Sequence, residues 1–162
     1  MDKSMKKNLL ITFLFAALLI LVTCSGRNND TDTRPVLEIR ENMFITQINY
    51  INLNSRRYLG TAIRLEGIFR HSHREGQDTF RVIRLGPGCC TDEEEFGFMV
   101  SWDPDFPESN IFKKGIPFPN TNDWVEVVGE LSSFERFGFM FFYIALRELN
   151  ILDRRGAEFV SR

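Results

Sequence analysis

The chain has 162 residues, a formal net charge of −2, 43% hydrophobic residues and three cysteines. That is enough chain for one domain with a sizeable core. The acidic balance argues against a phosphate-backbone partner, which calls for clustered Lys and Arg, and no G-x-S-x-G or H-E-x-x-H motif points to a hydrolase.

Residues 1–7 carry Lys3, Lys6 and Lys7 against Asp2, and an apolar stretch follows over residues 9–22. Its fourteen residues fall short of the about 20 that a transmembrane helix needs. A basic start followed by an apolar run of this length reads as a secretory signal. It ends in Leu21-Val22-Thr23-Cys24, which resembles the lipobox of bacterial lipoproteins. That resemblance implies a signal peptide over 1–23, a lipid attached to Cys24, and a chain held by lipid on the extracytoplasmic face of a membrane, in the periplasm or at the cell surface. Loss of residues 1–23, with three lysines and one aspartate, moves the net charge from −2 to −4. Residues 24–35 contain no large apolar side chain and read as a flexible tether. A domain over 36–155 and a tail over 156–162 follow, and the last ten residues are expected to fray.

Phe44, Ile48 and Ile51, with Met43 and Ile45 alongside, form one helical stripe and predict a helix over about 42–53. From Thr61 the period changes. Ile63, Leu65 and Phe69 alternate with Arg64, Glu66 and Arg70 in a first strand that contains Gly67. After a turn at "SHREGQD", a second strand puts Phe80 and Val82 on one face and Arg81, Ile83 and Leu85 on the other. "FGFMVSW" (96–102) is a third strand. The segment 103–123 holds four of the six prolines and reads as a surface loop. "WVEVVGEL" (124–131) is a fourth strand, and the aromatic-rich segment 137–152 is a fifth, expected to be buried on much of both faces. Glycines inside the first and fourth strands suggest tight curvature. The fold class is therefore mainly β: a five-stranded, OB-like antiparallel barrel preceded by one short helix.

Between the second and third strands lies "GPGCCTDEEEF", with Cys89 and Cys90 adjacent. Neighbouring Cα atoms lie about 3.8 Å apart, whereas disulfides favour about 4.4–6.8 Å, so a bond between these two would be strained. Three readings stay open. The thiols can fill a buried bend as small apolar groups. They can join Asp92, with one of Glu93 to Glu95, around Zn²⁺ if the Gly-Pro-Gly kink turns both to one side. They can form a redox pair, although the usual C-x-x-C spacing is absent. His71 and His73 share a strand face beside a turn. A hairpin turning near residue 76 would set Cys89 opposite about Ile63, roughly 26 Å from His71 along the strand at about 3.3 Å per residue.

"YLGTAIRLEG", "CCTDEEEFGFMVSW" and "DWVEVVGEL", in this order over residues 58–131, resemble the C-terminal extracytoplasmic domain of YcgQ-like bacterial proteins. The chain departs from their pattern at Thr61, where lysine is usual, and at Asp92, one position nearer the cysteines. It also has a lipobox where they have transmembrane helices. The resemblance implies an envelope domain accessory to a permease. The sequence thus points to a non-enzymatic, lipid-anchored binding module of the cell envelope, with no cofactor and no nucleic-acid partner, docking on a membrane protein or small ligand. Phe106, Phe112 and Phe118 of the Pro-rich loop, beside Ile111 and Ile116, are either the contact surface for that partner or side chains that fold back as a lid on the barrel end. A zinc- or redox-active protein using Cys89, Cys90 and Asp92 is the alternative.

Overall fold

The computed structural model describes residues 35–74, 76–88, 92–103 and 115–161. A short strand β1 (Leu37–Glu38) and a 3-10 turn (Glu41–Met43) lead into helix α1 (Phe44–Leu53) and the single turn α2 (Ser55–Tyr58). Five long strands follow: β2 (Ala62–Arg74), β3 (Gln77–Pro87), β4 (Glu93–Ser101), β5 (Trp124–Arg136) and β6 (Phe139–Ile151). Their order is β1-β2-β3-β4-β6-β5, and β5 pairs back onto β2. Among the described residues, five strands therefore close into the expected barrel, with a short helix before it.

One seam differs from the antiparallel expectation. Met99–Ser101 of β4 run parallel to Tyr143–Ala145 of β6, while the other four seams are antiparallel. The reason is parity: an odd number of strands in a closed ring cannot alternate direction at every neighbour. The crossover between β4 and β5 settles where the parallel pair falls.

The glycines mark the bends. β2 pairs with β5 over Ala62–Ile68 and with β3 over Ile68–Arg74, so it changes partners beside Gly67. A Cβ on Gly67 would stand 2.5 Å from the Ile83 carbonyl oxygen. Gly129 sits at the register shift between β5 and β6, where a Cβ would stand 2.3 Å from the Ala145 carbonyl oxygen. Backbones this close leave no room for any side chain.

Where β2 turns away, β3 loses a partner beyond Ile83. The C-terminal tail takes that place. Leu85 N–H donates to the Glu158 carbonyl and Val160 N–H to the Leu85 carbonyl, both at 2.8 Å, and Val160 is buried. The expected fraying does not occur here, because an unpaired strand edge offers the tail a ready ladder.

Helix α1 seals one end of the barrel. Phe44, Ile45, Ile48 and Ile51 are buried and join Ile63, Leu65, Phe96 and Val127 in one core cluster. Gly86 lets the helix approach, since a Cβ there would lie 2.6 Å from Ile45 Cδ1. Ile68, Ile83 and Trp124 form a smaller cluster, with Leu85 and Leu152 packed against it. The two faces read for β3 thus belong to two separate clusters.

β6 departs from its expected burial. Phe139, Met140 and Phe141 are exposed, and burial begins at Tyr143. β4 covers β6 only at Tyr143–Ala145, so the preceding residues pair with β5 alone and gain no second layer.

Candidate functional site

Cys24, Cys89, Cys90, Phe106 and Phe112 lie outside the described residues. The flanks of the cysteine pair are defined. Gly88 N–H donates to the Asp92 carbonyl at 2.8 Å, and a Cβ on Gly88 would lie 2.4 Å from that oxygen. Pro87 and Glu93 are paired one step further in. The chain is therefore pinched at both residues that border 89–91, and the Asp92 side chain is exposed.

The acid run after Asp92 opens β4, with Glu93, Glu94 and Glu95 exposed. Glu95 accepts a bond from Arg81 Nη1 at 2.7 Å and stands 3.6 Å from Arg70 Nε. Two arginines thus share one carboxylate, which leaves the group with one positive charge in excess.

His71 and His73 meet a partner that spacing did not reveal. His71 Nε2 and His73 Nδ1 stand 2.7 and 2.8 Å from the same oxygen of Asp78. Positions i and i+2 share a face, and the hairpin sets Asp78 directly opposite His73. The nitrogens converge on one carboxylate oxygen and not on a common empty point. Among the described residues, no group of three His, Cys, Asp or Glu side chains is arranged to hold a metal ion. Ile63 pairs with Leu37 and Gly129, so the expected register with Cys89 does not form. His71 faces Phe80, and Pro87 lies seven positions further along the strand, roughly 23 Å if fully extended.

Phe118 folds back toward the barrel. Its ring lies 5.8 Å from Phe69, 5.5 Å from Phe80, 5.3 Å from Trp102 and 6.4 Å from His71. It remains 45% exposed, the outermost ring of an aromatic cluster whose other phenylalanines and Trp102 are buried. Ile116 packs against the core nearby. Edge-to-face contacts of this kind fix ring orientation as well as burying area.

The most unusual polar feature is Arg84, a buried arginine on β3. Nε donates to the Glu66 carbonyl at 2.9 Å; Nη1 donates to Glu41 at 2.6 Å and to the Ala157 carbonyl at 3.0 Å. Its guanidinium lies 5.1 Å from the Phe44 ring and 4.9 Å from Trp124. Arg84 thus stitches the gap where β2 and β3 part, tying the helix entry and the tail to the wall. The Arg84 hydrogen bond, with the Ala157 N–H, holds the Glu41 carboxyl below its usual 4.5. A cleft of about 390 Å³ opens beside it, lined by Glu38, Glu41, Arg64, Glu66 and Glu126 among others. Every donor named here is matched by an acceptor, so the arrangement is suited to holding structure. The visible signal was parity: Arg84 continues the apolar Phe80–Val82 face.

No curated protein matches the chain. Among solved structures, the dimeric N-terminal domain of the PriB protein from Thermoanaerobacter tencongensis shares 16% identity over 57% of this chain and 97% of its own. Its TM-score is 0.32, too low to carry an argument. The family model described as the DUF1980 C-terminal domain matches residues 24–151, and the chain belongs to that family.

Proposed function

We propose that this protein is a lipid-anchored, non-catalytic binding module of the cell envelope, fixed through Cys24 and presenting its barrel to a membrane protein or small ligand. The observation that carries this reading is Phe118, a half-exposed ring supported from beneath by the buried Phe69, Phe80 and Trp102. A rigid apolar platform of this kind suits recognition, since the ring is ordered before any partner arrives. The YcgQ-like resemblance adds a permease as the kind of membrane partner.

Metabolic labelling with a palmitate analogue tests the anchor. The wild type should carry label and sediment with membranes, and Cys24→Ser should lose both; an unlabelled wild type overturns the reading. Photo-crosslinking from position 118 in the same cells tests the platform.

A second reading, a zinc site at Cys89, Cys90 and Asp92, is favoured by the 2.8 Å hydrogen bond from Gly88 N–H to the Asp92 carbonyl, which brings the two ends of the cysteine segment together. Metal analysis with a free-thiol count separates it from the first. Stoichiometric zinc that disappears in Cys90→Ser supports the second, and two inert thiols without metal remove it.

A further inference from the structure

β5 and β6 outrun the barrel. Beyond Leu131 and before Tyr143 they pair with each other alone, down to Arg136 opposite Phe139. Residues that face each other across this ladder share a side, so Phe134, Arg136, Phe139, Phe141 and Tyr143 lie on one face. Exposure along it climbs steadily toward the tip: Tyr143 3%, Phe141 39%, Phe139 69%, then Phe137 84% in the turn itself. Phe134 stacks on Phe141 at 5.3 Å and meets Tyr143 at 5.9 Å, so the base of the ladder is held by packing. The arm is further braced from the β2–β3 hairpin, where Gln77 accepts a hydrogen bond from Arg136.

The turn is the second observation. Phe137 and Gly138 have φ of +51° and +79°. Asn-Gly or Asp-Gly is the usual choice for a turn with both central residues left-handed. A phenylalanine there costs about 1–2 kcal/mol relative to an ordinary backbone conformation. A bulky ring at the most exposed and least comfortable position of the arm points to a use for the ring outside the fold.

We infer that the β5–β6 tip is a lipid-contact wedge, inserting Phe137, Phe139 and Phe141 at the headgroup boundary of the bilayer that holds the anchor. This rests on the lipid-anchor reading. Residues 24–34, eleven in all, span at most about 36–40 Å, close to the roughly 36 Å diameter of a domain this size. A tether of that length holds the domain within about one domain diameter of the bilayer, near enough for an exposed tip to reach it. Tethering raises the local concentration of surface so much that a few rings suffice. Arg136 lies 4.9 Å over the Phe137 ring, while Glu135 beside it belongs to the other face of the ladder opposite Met140. Among the described residues, the aromatic face of the tip therefore carries a cation and no carboxylate, and an arginine stem along an apolar ring suits an anionic interface.

The test uses the full chain, purified from membranes of the expressing host, with Phe139→Trp introduced. It is reconstituted in phosphatidylcholine–phosphatidylglycerol vesicles with and without brominated acyl chains. Trp102 and Trp124 are buried, so the wild type sets the background. The added indole should shift to the blue and be quenched by bromolipid, while Leu53→Trp on the helix should not. Quenching by aqueous acrylamide alone at position 139 overturns the inference. Protection that appears in native membranes but not in pure lipid also overturns it and gives the surface to a protein partner. Phe137→Asn, which suits the turn, should leave the fold intact and weaken bromolipid quenching; undiminished quenching removes Phe137 from the wedge. Mass analysis of Cys24 on the same sample reports the anchor separately, because quenching at 139 is read whether or not an acyl group is found.

Discussion

The helix-sealed end of the barrel and the β5–β6 arm use similar side chains to opposite ends. At the sealed end, Phe44 is 0% exposed and Arg84 3% exposed at its side chain, each fixed by partners from distant parts of the chain. On the arm, Phe137 and Phe139 are 84% and 69% exposed, and their neighbours come from the hairpin itself. An aromatic residue in one place is a closure, and in the other a surface. Composition is alike; the difference is whether a second layer lies above it.

Substitutions should divide along the same line. Phe44→Ala opens a cavity beneath the helix and should cost about 3–5 kcal/mol in urea unfolding. A loss below about 1 kcal/mol would mean that α1 does not close the core. Arg84→Ala removes the donor to the Glu66 and Ala157 carbonyls and leaves Glu41 only the Ala157 N–H, and it should cost about 3 kcal/mol. Arg84→Lys should recover only part, because an ammonium lacks the fork that reaches three acceptors at once. On the arm the sign reverses. Phe137→Asn should stabilise the protein by about 1 kcal/mol, visible as a raised Tm, since it relieves the left-handed phenylalanine. A lowered Tm would show the ring packed against the fold after all.

The smallest effect is in pH. Glu41 titrates below its usual 4.5 because of Arg84, so its contribution is complete above that value and fades as pH falls through the folded one. Its side chain is 53% exposed, and water screens the pair. The difference in urea midpoint between wild type and Glu41→Gln should hold steady at neutral pH and shrink below about 4.5. An increase on acidification would reverse the assigned direction.

Much of the fold was legible residue by residue. The three-and-four spacing of Phe44, Ile48 and Ile51 located the helix, and Gly67 and Gly129 marked the bends before any contact was known. Less of the site was legible. Phe118 belonged to a recognisable apolar loop, but nothing in the loop says that its ring rests on Phe69, Phe80 and Trp102. Asp78 lies five residues from His73, beyond any motif spacing, and becomes its partner only when the hairpin closes. β6 read as doubly buried because aromatic content reports what a strand could bury, and not how far its neighbours extend.

The sequence by itself determined what depends on near neighbours: helix, strands, turn positions and the curvature that glycine permits. Tertiary structure alone decided the parallel seam, the docked tail, the partners of Arg84 and the bare arm. Arg84 draws on Glu41 and Ala157, which are 43 and 73 residues away. Which edges are left open, and what fills them, follows from closing five strands into a ring. That is a property of the whole circuit and is written in no single stretch of chain.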